Sequence, residues 1–327
     1  MRVHFIAIGG AAMHNLALAL HQKGCVVSGS DDAIFNPSKS RLEKVGILPQ
    51  KMGWFPSKIT DHIDSVILGM HARADNPELL RAQELGLNIF SYPEYLYEQS
   101  KNKKRVVIGG SHGKTTITSM ILNVLKKLSI DCDYMVGAQL EGFQTMVKLS
   151  DAPIIILEGD EYLSSPIDLR PKFHIYKPHI ALISGIAWDH INVFPTFASY
   201  LKQFEIFIEE INPGGYLTYC SEDESLNIIS SINSEIETEA YHLPDYVIED
   251  GKTIITHQTG TFELEIFGQH NLLNMNGALN VCKKLGVDEI DFYKSMESFK
   301  GASKRLEKIF EREGLIVYKD FAHSPSK

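Results

Sequence analysis

The sequence predicts an α/β protein in which an N-terminal Rossmann-like domain precedes a P-loop-type central α/β domain with a mainly parallel sheet. Two strand–glycine–helix units, one at the N-terminus and one after residue 104, show strand-type apolar runs followed by helical spacing. The third observation is length, because 327 residues exceed one ordinary domain. We expect domains at 1–103 and 104–302, with residues 303–327 beginning another.

Composition and charge narrow the class of protein. A net charge of −9 argues against nucleic acid as the main partner, and no apolar run is long enough to span a membrane. The four cysteines are scattered and form no CxxC pair, which is typical of a reduced chain without structural zinc. The N-terminus begins as a strand and not as a signal peptide. We expect a cytoplasmic protein, and its oligomeric state stays open.

The first strand–turn–helix unit occupies the N-terminus. Val3 to Ile8 is typical of a buried strand, and a glycine turn then opens an amphipathic helix that ends at Gly24. Asp31 follows this turn at about the spacing that dinucleotide folds use for a ribose contact. The GxGxxG fingerprint is broken in either register, so an NAD-dependent dehydrogenase is a disfavoured alternative. The unit indicates a turn able to accept a diphosphate.

A polar, lysine-rich segment separates the two units. Glu98 to Lys104 has no apolar period, and we interpret it as a linker between domains. The alternative is the solvated last turn of a helix. Either interpretation puts a boundary near residue 103.

The second unit, Arg105 to Leu128, has the layout of a nucleotide phosphate site. A strand run meets GGSHGKTT, and apolar residues then recur at helical spacing. Lys114 is expected to reach the β- and γ-phosphate oxygens, and the Thr115 hydroxyl to take one Mg²⁺ position. The match is incomplete because Ile108 replaces the first glycine of the general motif, and a glycine-rich helix cap is the alternative. The predicted phosphate-loop residues are Gly110, Ser111, His112, Gly113, Lys114, Thr115 and Thr116.

Acidic and imidazole side chains follow two later apolar runs. The run at 154–157 ends in EGDE, and the run at 180–186 leads to WDH. Because the carboxyl ends of parallel strands meet at one sheet edge, Glu158 and His190 are expected beside the phosphate loop. Mg²⁺ is then the expected positive partner of the carboxylates, with His190 as a further ligand or a phosphate contact. A solvated turn and a structural histidine are the alternatives.

The last region with predicted chemistry opens a helix after an antiparallel ribbon, which we place at a sheet edge and at residues 254–255 and 262–267. Asn271 and Asn274 lie one helical turn apart, so their amides are on one side. Paired amides can contact an adenine edge, and capping of the first helical turn is the alternative.

Five segments together resemble the Mur ligase family, the ATP-dependent enzymes that build the peptide stem of peptidoglycan. They are GGSHGKTT, LEGDE, WDHIN, GQHNLLN and KDFAHSP, in family order across nearly the whole chain. Two more segments, GSDDAIFNPSKSRLEKVGI and DEYLSSPIDLRPKFHIY, look most like the murein peptide ligases of peptidoglycan recycling. Those enzymes join UDP-N-acetylmuramate to the tripeptide L-alanyl-γ-D-glutamyl-meso-diaminopimelate. The L-alanine ligases of de novo synthesis have nearly the same nucleotide motifs and stay as the alternative.

The resemblance implies a mechanism and a set of site residues. The lactyl carboxylate attacks the γ-phosphate of ATP, and an amine then displaces phosphate from the acyl phosphate. The implied catalytic residues are Lys114, Glu158 and His190. The implied Mg²⁺ ligands are Thr115 and Glu158 for one ion, and Glu158 and His190 for a second. Further implied ATP contacts are Asn271, Asn274, Arg305 and Asp320. The implied UDP-sugar contacts are Gly9, Gly10, Ala11, Ser30 and Asp31.

Two features depart from the family pattern. His14 and Asn15 replace small residues that are usual after the first glycine turn, so they are expected to reshape the diphosphate pocket. The chain stops at Lys327, just after KDFAHSP, the segment that opens the amine-binding third domain in this family. We therefore expect these residues alone not to complete the ligation. A protein that binds nucleotide without chemistry is the alternative from another class.

Overall fold

A parallel four-stranded sheet in the order β2-β1-β3-β4 forms the first part of the chain. This computed structural model describes residues 1–140, 142–258, 260–301, 307–313 and 315–319. The strands are β1 (Arg2–Ile6), β2 (Val26–Ser30), β3 (Ser65–Leu68) and β4 (Ile89–Ser91). The helices are α1 (Ala11–Gln22), α2 (Ser38–Lys44), α3 (Pro77–Glu84) and α4 (Tyr92–Ser100), with a 3₁₀ turn at Pro56–Lys58. Because neighbouring strands are parallel, their carboxyl ends share the edge that carries the β1–α1 turn.

Local sequence explains where two of these helices begin. Asn76 accepts a hydrogen bond from the Glu78 backbone N–H at 2.9 Å, and a proline at the first helical position completes the start of α3. Ser91 and Glu94 form a reciprocal capping box at the start of α4. The Asn76–Pro77 pair is thus a local sequence signal for the start of α3.

A seven-stranded sheet in the order β13-β12-β11-β5-β8-β6-β7 forms the central part. Every neighbouring pair is parallel except β6 with β7, so the predicted mainly parallel sheet is confirmed. Its strands are β5 (Lys104–Gly109), β6 (Asp133–Met135), β7 (Val147–Lys148), β8 (Ile154–Glu158), β11 (Ile180–Ile183), β12 (Tyr216–Cys220) and β13 (Glu237–Tyr241). The helices are α5 (Lys114–Lys127), α6 (Lys172–Ile175), α7 (Phe197–Glu209), α8 (Glu224–Ile229), α9 (Gln269–Lys284) and α10 (Glu289–Met296).

Small antiparallel sheets decorate this framework. They are β9 (Leu163–Ser165) with β10 (Asp168–Pro171), β14 (Val247–Glu249) with β15 (Lys252–His257) and β16 (Gly260–Leu264), and β17 (Glu307–Arg312) with β18 (Leu315–Lys319). The antiparallel ribbon predicted around residues 254 and 262 is confirmed by the pairing of β15 with β16. It belongs to a separate three-stranded sheet and not to the edge of the central one.

The connection between the two large sheets is short and tied down. Helix α4 continues to Ser100 and β5 begins at Lys104, so the linker interpretation of Glu98 to Lys104 is wrong for its first three residues. They form the last helical turn because the buried guanidinium of Arg105 donates to the carbonyl of Ser100 at 2.9 Å. The boundary near residue 103 stays a prediction.

Among the described residues, no helix combines the length and apolar character that crossing a bilayer requires.

Candidate nucleotide and metal site

The phosphate loop joins β5 to α5 at the carboxyl edge of the central sheet. Gly110 and Gly113 have positive φ angles of 121° and 79°, which glycine adopts without strain. A Cβ on Gly110 would lie 2.2 Å from the Ser184 hydroxyl, and one on Gly113 would lie 2.5 Å from the Asn274 amide oxygen. Both positions therefore need glycine for backbone conformation and for space.

Lys114 is the first residue of α5 and is largely buried. Its Nζ donates to the Gly110 carbonyl at 2.6 Å and pairs with Glu161 Oε2 at 2.6 Å, with only 14% of the side chain exposed. Burial lowers the pKa of Lys114, but Glu161, Asp160 and Glu158 outweigh burial and raise the pKa above its ordinary value. The loop therefore carries a fixed positive charge.

Thr115 and Glu158 meet beside this lysine, as the parallel strand order predicts. Thr115 Oγ1 donates to Glu158 Oε1 at 2.9 Å, and the Gly137 backbone N–H donates to Oε2 at 2.8 Å. Burial raises the pKa of Glu158, although the Gly137 N–H, Lys114 and Thr115 oppose that effect. A hydroxyl and a carboxylate in contact are ligands that Mg²⁺ accepts.

A second acidic group lies on the turn after β8. One ligand atom each from Asp160, Glu161 and His190 lies within 4.8 Å of the other two. His190 Nε2 is 3.6 Å from Glu161 Oε1, and Glu161 is only 1% exposed. His190 thus pairs with Glu161 in this structure, and the Mg²⁺ predicted between Glu158 and His190 stays a prediction. Glu158 turns towards Thr115 and Gly137, which leaves Glu161 to face the histidine.

The charges in this second group are matched. Glu161 raises the pKa of His190 above its ordinary value, although partial burial opposes that. Burial raises the pKa of Glu161, but Lys114 and His190 outweigh burial and hold it below its ordinary value. Two carboxylates and an imidazole this close together fit one divalent ion, provided that the histidine is neutral when it binds.

Tyr200 of α7 connects the phosphate loop to the acidic group. Its fully buried hydroxyl lies 2.8 Å from Ser111 Oγ and donates to Glu161 Oε1 at 3.1 Å. Ser111 Oγ also accepts from the Ala187 backbone N–H at 2.9 Å. Sequence reasoning missed this tyrosine because its helical spacing is that of a core aromatic residue. The EGDE segment offers three carboxylates, of which the sequence pattern assigns a role to Glu158 alone.

The remaining predicted ATP residues differ in their surroundings. Asn274 packs against Gly113 of the loop, whereas Asn271 Nδ2 donates to the Phe267 carbonyl, four residues earlier in the chain, at 2.9 Å. The His112 carbonyl accepts from the Ser184 hydroxyl, and Thr116 is buried in α5. Arg305 and Asp320 lie outside the described residues. The adenine contacts stay a prediction.

The predicted UDP-sugar residues converge at the carboxyl edge of the first sheet. The Gly9 backbone N–H donates to Asp31 Oδ2 at 2.6 Å, Gly10 caps α1, and Ala11 is the first residue of that helix. Burial raises the pKa of Asp31, and the Gly9 N–H opposes that effect. Lys58, which sequence reasoning did not assign, donates to Ser30 Oγ at 2.9 Å. No motif marks Lys58, because its 3₁₀ turn returns to Ser30 only in the folded chain.

Family models match most of the chain. The model described as "Mur ligase middle domain" matches residues 108–282, and "Mur ligase family, catalytic domain" matches residues 2–104. A UDP-N-acetylmuramate–L-alanine ligase from Clostridium kluyveri is 31% identical over 346 residues, covering 100% of this chain and 72% of the relative.

Two solved structures share the fold. UDP-N-acetylmuramate:L-alanyl-γ-D-glutamyl-meso-diaminopimelate ligase from Neisseria meningitidis has a TM-score of 0.82 at 24% identity, covering 91% of this chain and 98% of that one. UDP-N-acetylmuramate-alanine ligase from Thermotoga maritima has a TM-score of 0.76 at 22% identity, and the match covers 100% of this chain and 75% of that one. At these identities the likeness shows the fold alone. The family matches and the relative show that this chain belongs to the Mur ligases, ATP-dependent amide-bond ligases of peptidoglycan synthesis.

Proposed function

We propose that this chain carries the ATP and UDP-sugar sites of a ligase that joins UDP-N-acetylmuramate to L-alanyl-γ-D-glutamyl-meso-diaminopimelate. One observation carries the catalytic part: Lys114, the Thr115–Glu158 pair and the Asp160–Glu161–His190 group converge at one sheet edge. A protein that only binds nucleotide needs the loop and its lysine. It does not need two separate carboxylate groups around them.

The residues of the site are suited to moving negative charge between crowded oxygens. Mg²⁺, when bound, supplies positive charge to the phosphate oxygens and to the attacking carboxylate. Thr115 and Glu158 would hold one ion, and Asp160, Glu161 and His190 a second. Lys114 adds a permanent positive charge, and when ATP binds, its ammonium would contact phosphate oxygens in place of Glu161. The N-terminus of α5 presents backbone N–H groups to the same phosphates.

The proposed reaction has two steps. A lactyl carboxylate oxygen attacks the γ-phosphorus of ATP, and the bond between that phosphorus and the β–γ bridging oxygen breaks. ADP is the leaving group, and the product is an acyl phosphate. The amine nitrogen then attacks the acyl carbon, phosphate leaves with the bonding electrons, and the nitrogen loses a proton. Both steps depend on positioning and on fixed positive charge, which the buried Lys114 supplies.

The tripeptide is the amine donor that we propose, and two sets of observations bear on it. The segments that resemble the murein peptide ligases support the tripeptide. The Clostridium relative at 31% identity supports L-alanine as the second candidate. Both donors present the α-amine of an L-alanyl residue, so the chemical step is the same. They differ only in what must be bound beyond that residue.

Trapping the acyl phosphate tests the proposal. The chain is incubated with Mg²⁺-ATP, UDP-N-acetylmuramate and hydroxylamine, and mass spectrometry looks for the hydroxamate of the UDP-sugar. We expect a hydroxamate that requires ATP and is lost in Lys114→Ala. The proposed reaction would be overturned if no hydroxamate formed, or if the rate of ATP hydrolysis did not depend on the UDP-sugar. Supplying an amine-binding third domain of the family and replacing hydroxylamine by L-alanine or by the tripeptide then compares the two amines.

A further inference from the structure

We infer that Asn15 is a positioning residue that couples the UDP-sugar site of the first sheet to the phosphate and metal site of the central sheet. The inference rests on the proposed function, because it concerns how those two substrate sites communicate. Asn15 is fully buried and lies in α1, the helix that follows the β1–α1 glycine turn. Its side chain crosses to the loop between β6 and β7 of the central sheet.

The amide is held firmly on the side of the glycine turn. Asn15 Nδ2 donates to the Ala11 carbonyl at 2.8 Å, and Ala11 is the first residue of α1. His14 supports this orientation, because its Nε2 lies 3.0 Å from Asn15 Nδ2 while its Nδ1 lies 2.9 Å from the Gly10 carbonyl. With Nδ1 protonated, His14 donates to Gly10 and accepts from Asn15. A shift of the glycine turn is therefore passed to the Asn15 amide.

On the central side the same amide leads to the metal ligands. Asn15 Oδ1 accepts from the Met146 backbone N–H at 3.0 Å, and the Met146 carbonyl accepts from the Val136 N–H at 2.9 Å. The next residue, Gly137, donates its N–H to Glu158 Oε2 at 2.8 Å. Glu158 in turn accepts from Thr115 at the start of α5. Hydrogen bonds, the backbone of Met146 and the Val136–Gly137 peptide unit thus join the two sites.

Only an amide fits position 15 well, because the side chain there must donate to the Ala11 carbonyl and accept from the Met146 N–H. The space around Glu158 is also tight on this route, since a Cβ on Gly137 would lie 2.7 Å from Glu158 Oε1. A displacement of Met146, passed through Val136 to Gly137, therefore moves the Glu158 carboxylate. We expect binding at the glycine turn to change the affinity at the phosphate loop, and the reverse by the same factor.

Calorimetric titration of the full chain measures this coupling. The dissociation constant of Mg²⁺ with a non-hydrolysable ATP analogue is determined with and without saturating UDP-N-acetylmuramate. We expect the two constants to differ by about fivefold or more in the wild type, and to become equal in Asn15→Leu. Asn15→Asp keeps an acceptor for the Met146 N–H and is expected to restore part of the difference. Asn15→Ala serves in place of Asn15→Leu if the larger side chain prevents folding.

A matched control separates coupling from stability. Asn280 is another buried asparagine, and its Nδ2 donates to Thr218 Oγ1 at 3.1 Å within the central part. Asn280→Leu is expected to lower the melting temperature without changing the ratio of the two constants. A ratio that survives in folded Asn15→Leu or Asn15→Ala overturns the inference, and so does a wild-type ratio of one. A wild type that binds neither ligand instead overturns the proposed function.

Discussion

Among single residues, Lys114 has a double role because it neutralises a buried carboxylate and faces the phosphate site. Lys114→Ala is expected to abolish measurable Mg²⁺-ATP binding. It should also reduce the free energy of unfolding by about 3 kcal/mol, since Glu161 is left buried without its cation. Calorimetry and denaturant unfolding measure the two effects. The double variant Lys114→Ala/Glu161→Gln should recover stability but not ATP binding, and normal ATP affinity in either variant would refute the phosphate-loop assignment.

The pairing of His190 with Glu161 has a pH signature in the metal-free chain. Glu161 raises the folded-state pKa of His190 above the value of about 6.5 expected in the unfolded chain. Protonated His190 therefore stabilises the fold below about pH 6.5, and this contribution is lost as the pH rises through the folded-state pKa. We expect His190→Asn to lower the melting temperature in EDTA more at about pH 6 than at about pH 9.

His174 provides a control of opposite sign for that experiment. Burial lowers its pKa, while a hydrogen bond to the Gln203 carbonyl opposes the effect. The stability that neutral His174 contributes to the fold is therefore fully present above about pH 6.5 and is lost as the pH falls through the folded-state pKa. His174→Gln should lower the melting temperature more at high pH than at low pH. A His190→Asn effect that is independent of pH would contradict the ion pair with Glu161.

Tyr200 is expected to orient Glu161 through its hydroxyl alone. Tyr200→Phe keeps the ring in the core and removes the hydroxyl that reaches Ser111 and Glu161. We expect the Mg²⁺ concentration needed for half-maximal ATP binding to rise severalfold, with a stability loss of about 1 kcal/mol. Tyr216→Phe, which loses a hydroxyl bonded to Glu239, is the matched control. Equal metal curves for the two variants would show that Tyr200 only packs.

At this scale the sequence marks the residues that belong to a motif and misses those brought by the fold. Lys114 and Thr115 follow from the glycine loop, and Glu158 follows from the end of its strand. Glu161 and Tyr200 could not be identified in the same way. Their contacts with Lys114 and Ser111 span 47 and 89 residues of chain, and they depend on the course of the turn after β8 and on the placement of α7.

Among the elements, the junction of α4 with β5 depends on one guanidinium. Arg105 donates to the carbonyls of Ser100 and Lys101 at the end of α4, and to those of Tyr176 and Lys177 after α6. Arg105→Met is expected to reduce the free energy of unfolding by about 3 kcal/mol, because several buried carbonyls lose a charged donor. Denaturant unfolding measures the loss, and Arg105→Lys should recover little of it because an ammonium cannot reach in two directions.

The matched control for this junction is Arg170, which also joins the two parts of the chain. It pairs with Glu94 of α4 at 3.1 Å, but its side chain is 59% exposed. An exposed ion pair contributes about 1 kcal/mol or less, so Arg170→Met should have a small effect. Similar losses for both arginines would mean that Arg105 is not the clamp at this junction.

Element prediction succeeds here where the signal is local. Asn76 with Pro77 marks a helix start, and alternation around residue 262 marks a ribbon. The polar segment that begins at Glu98 resembles a linker in the sequence. It is helical at first because Arg105 donates to carbonyls at the end of α4, and the sequence pattern does not show this contact. The separate sheet of β14 to β16 is likewise a tertiary outcome, since strand propensity does not specify which sheet a ribbon joins.

For the whole molecule, the two parallel sheets present two nucleotide-type edges, and they should select different ligands. In the first sheet the carboxylate of Asp31 already accepts the Gly9 N–H, and Lys58 donates to the neighbouring Ser30. A dinucleotide site uses a third glycine to pack its helix closely against the strand, and this turn lacks that glycine. The same edge keeps a helix N-terminus and a nearby cation, which suit a diphosphate.

Thermal-shift measurements on the chain test this selection. UDP-N-acetylmuramate at about a hundred times its dissociation constant should add about 2.7 kcal/mol of stability, which raises the melting temperature by several degrees. NAD at the same concentration should leave it unchanged, and Mg²⁺-ATP should raise it through the central site. Lys58→Met should reduce the UDP-sugar shift and leave the ATP shift intact, because Lys58 lies at the first edge only. A clear NAD shift that Lys58→Met abolishes would instead identify the first sheet as a dinucleotide site.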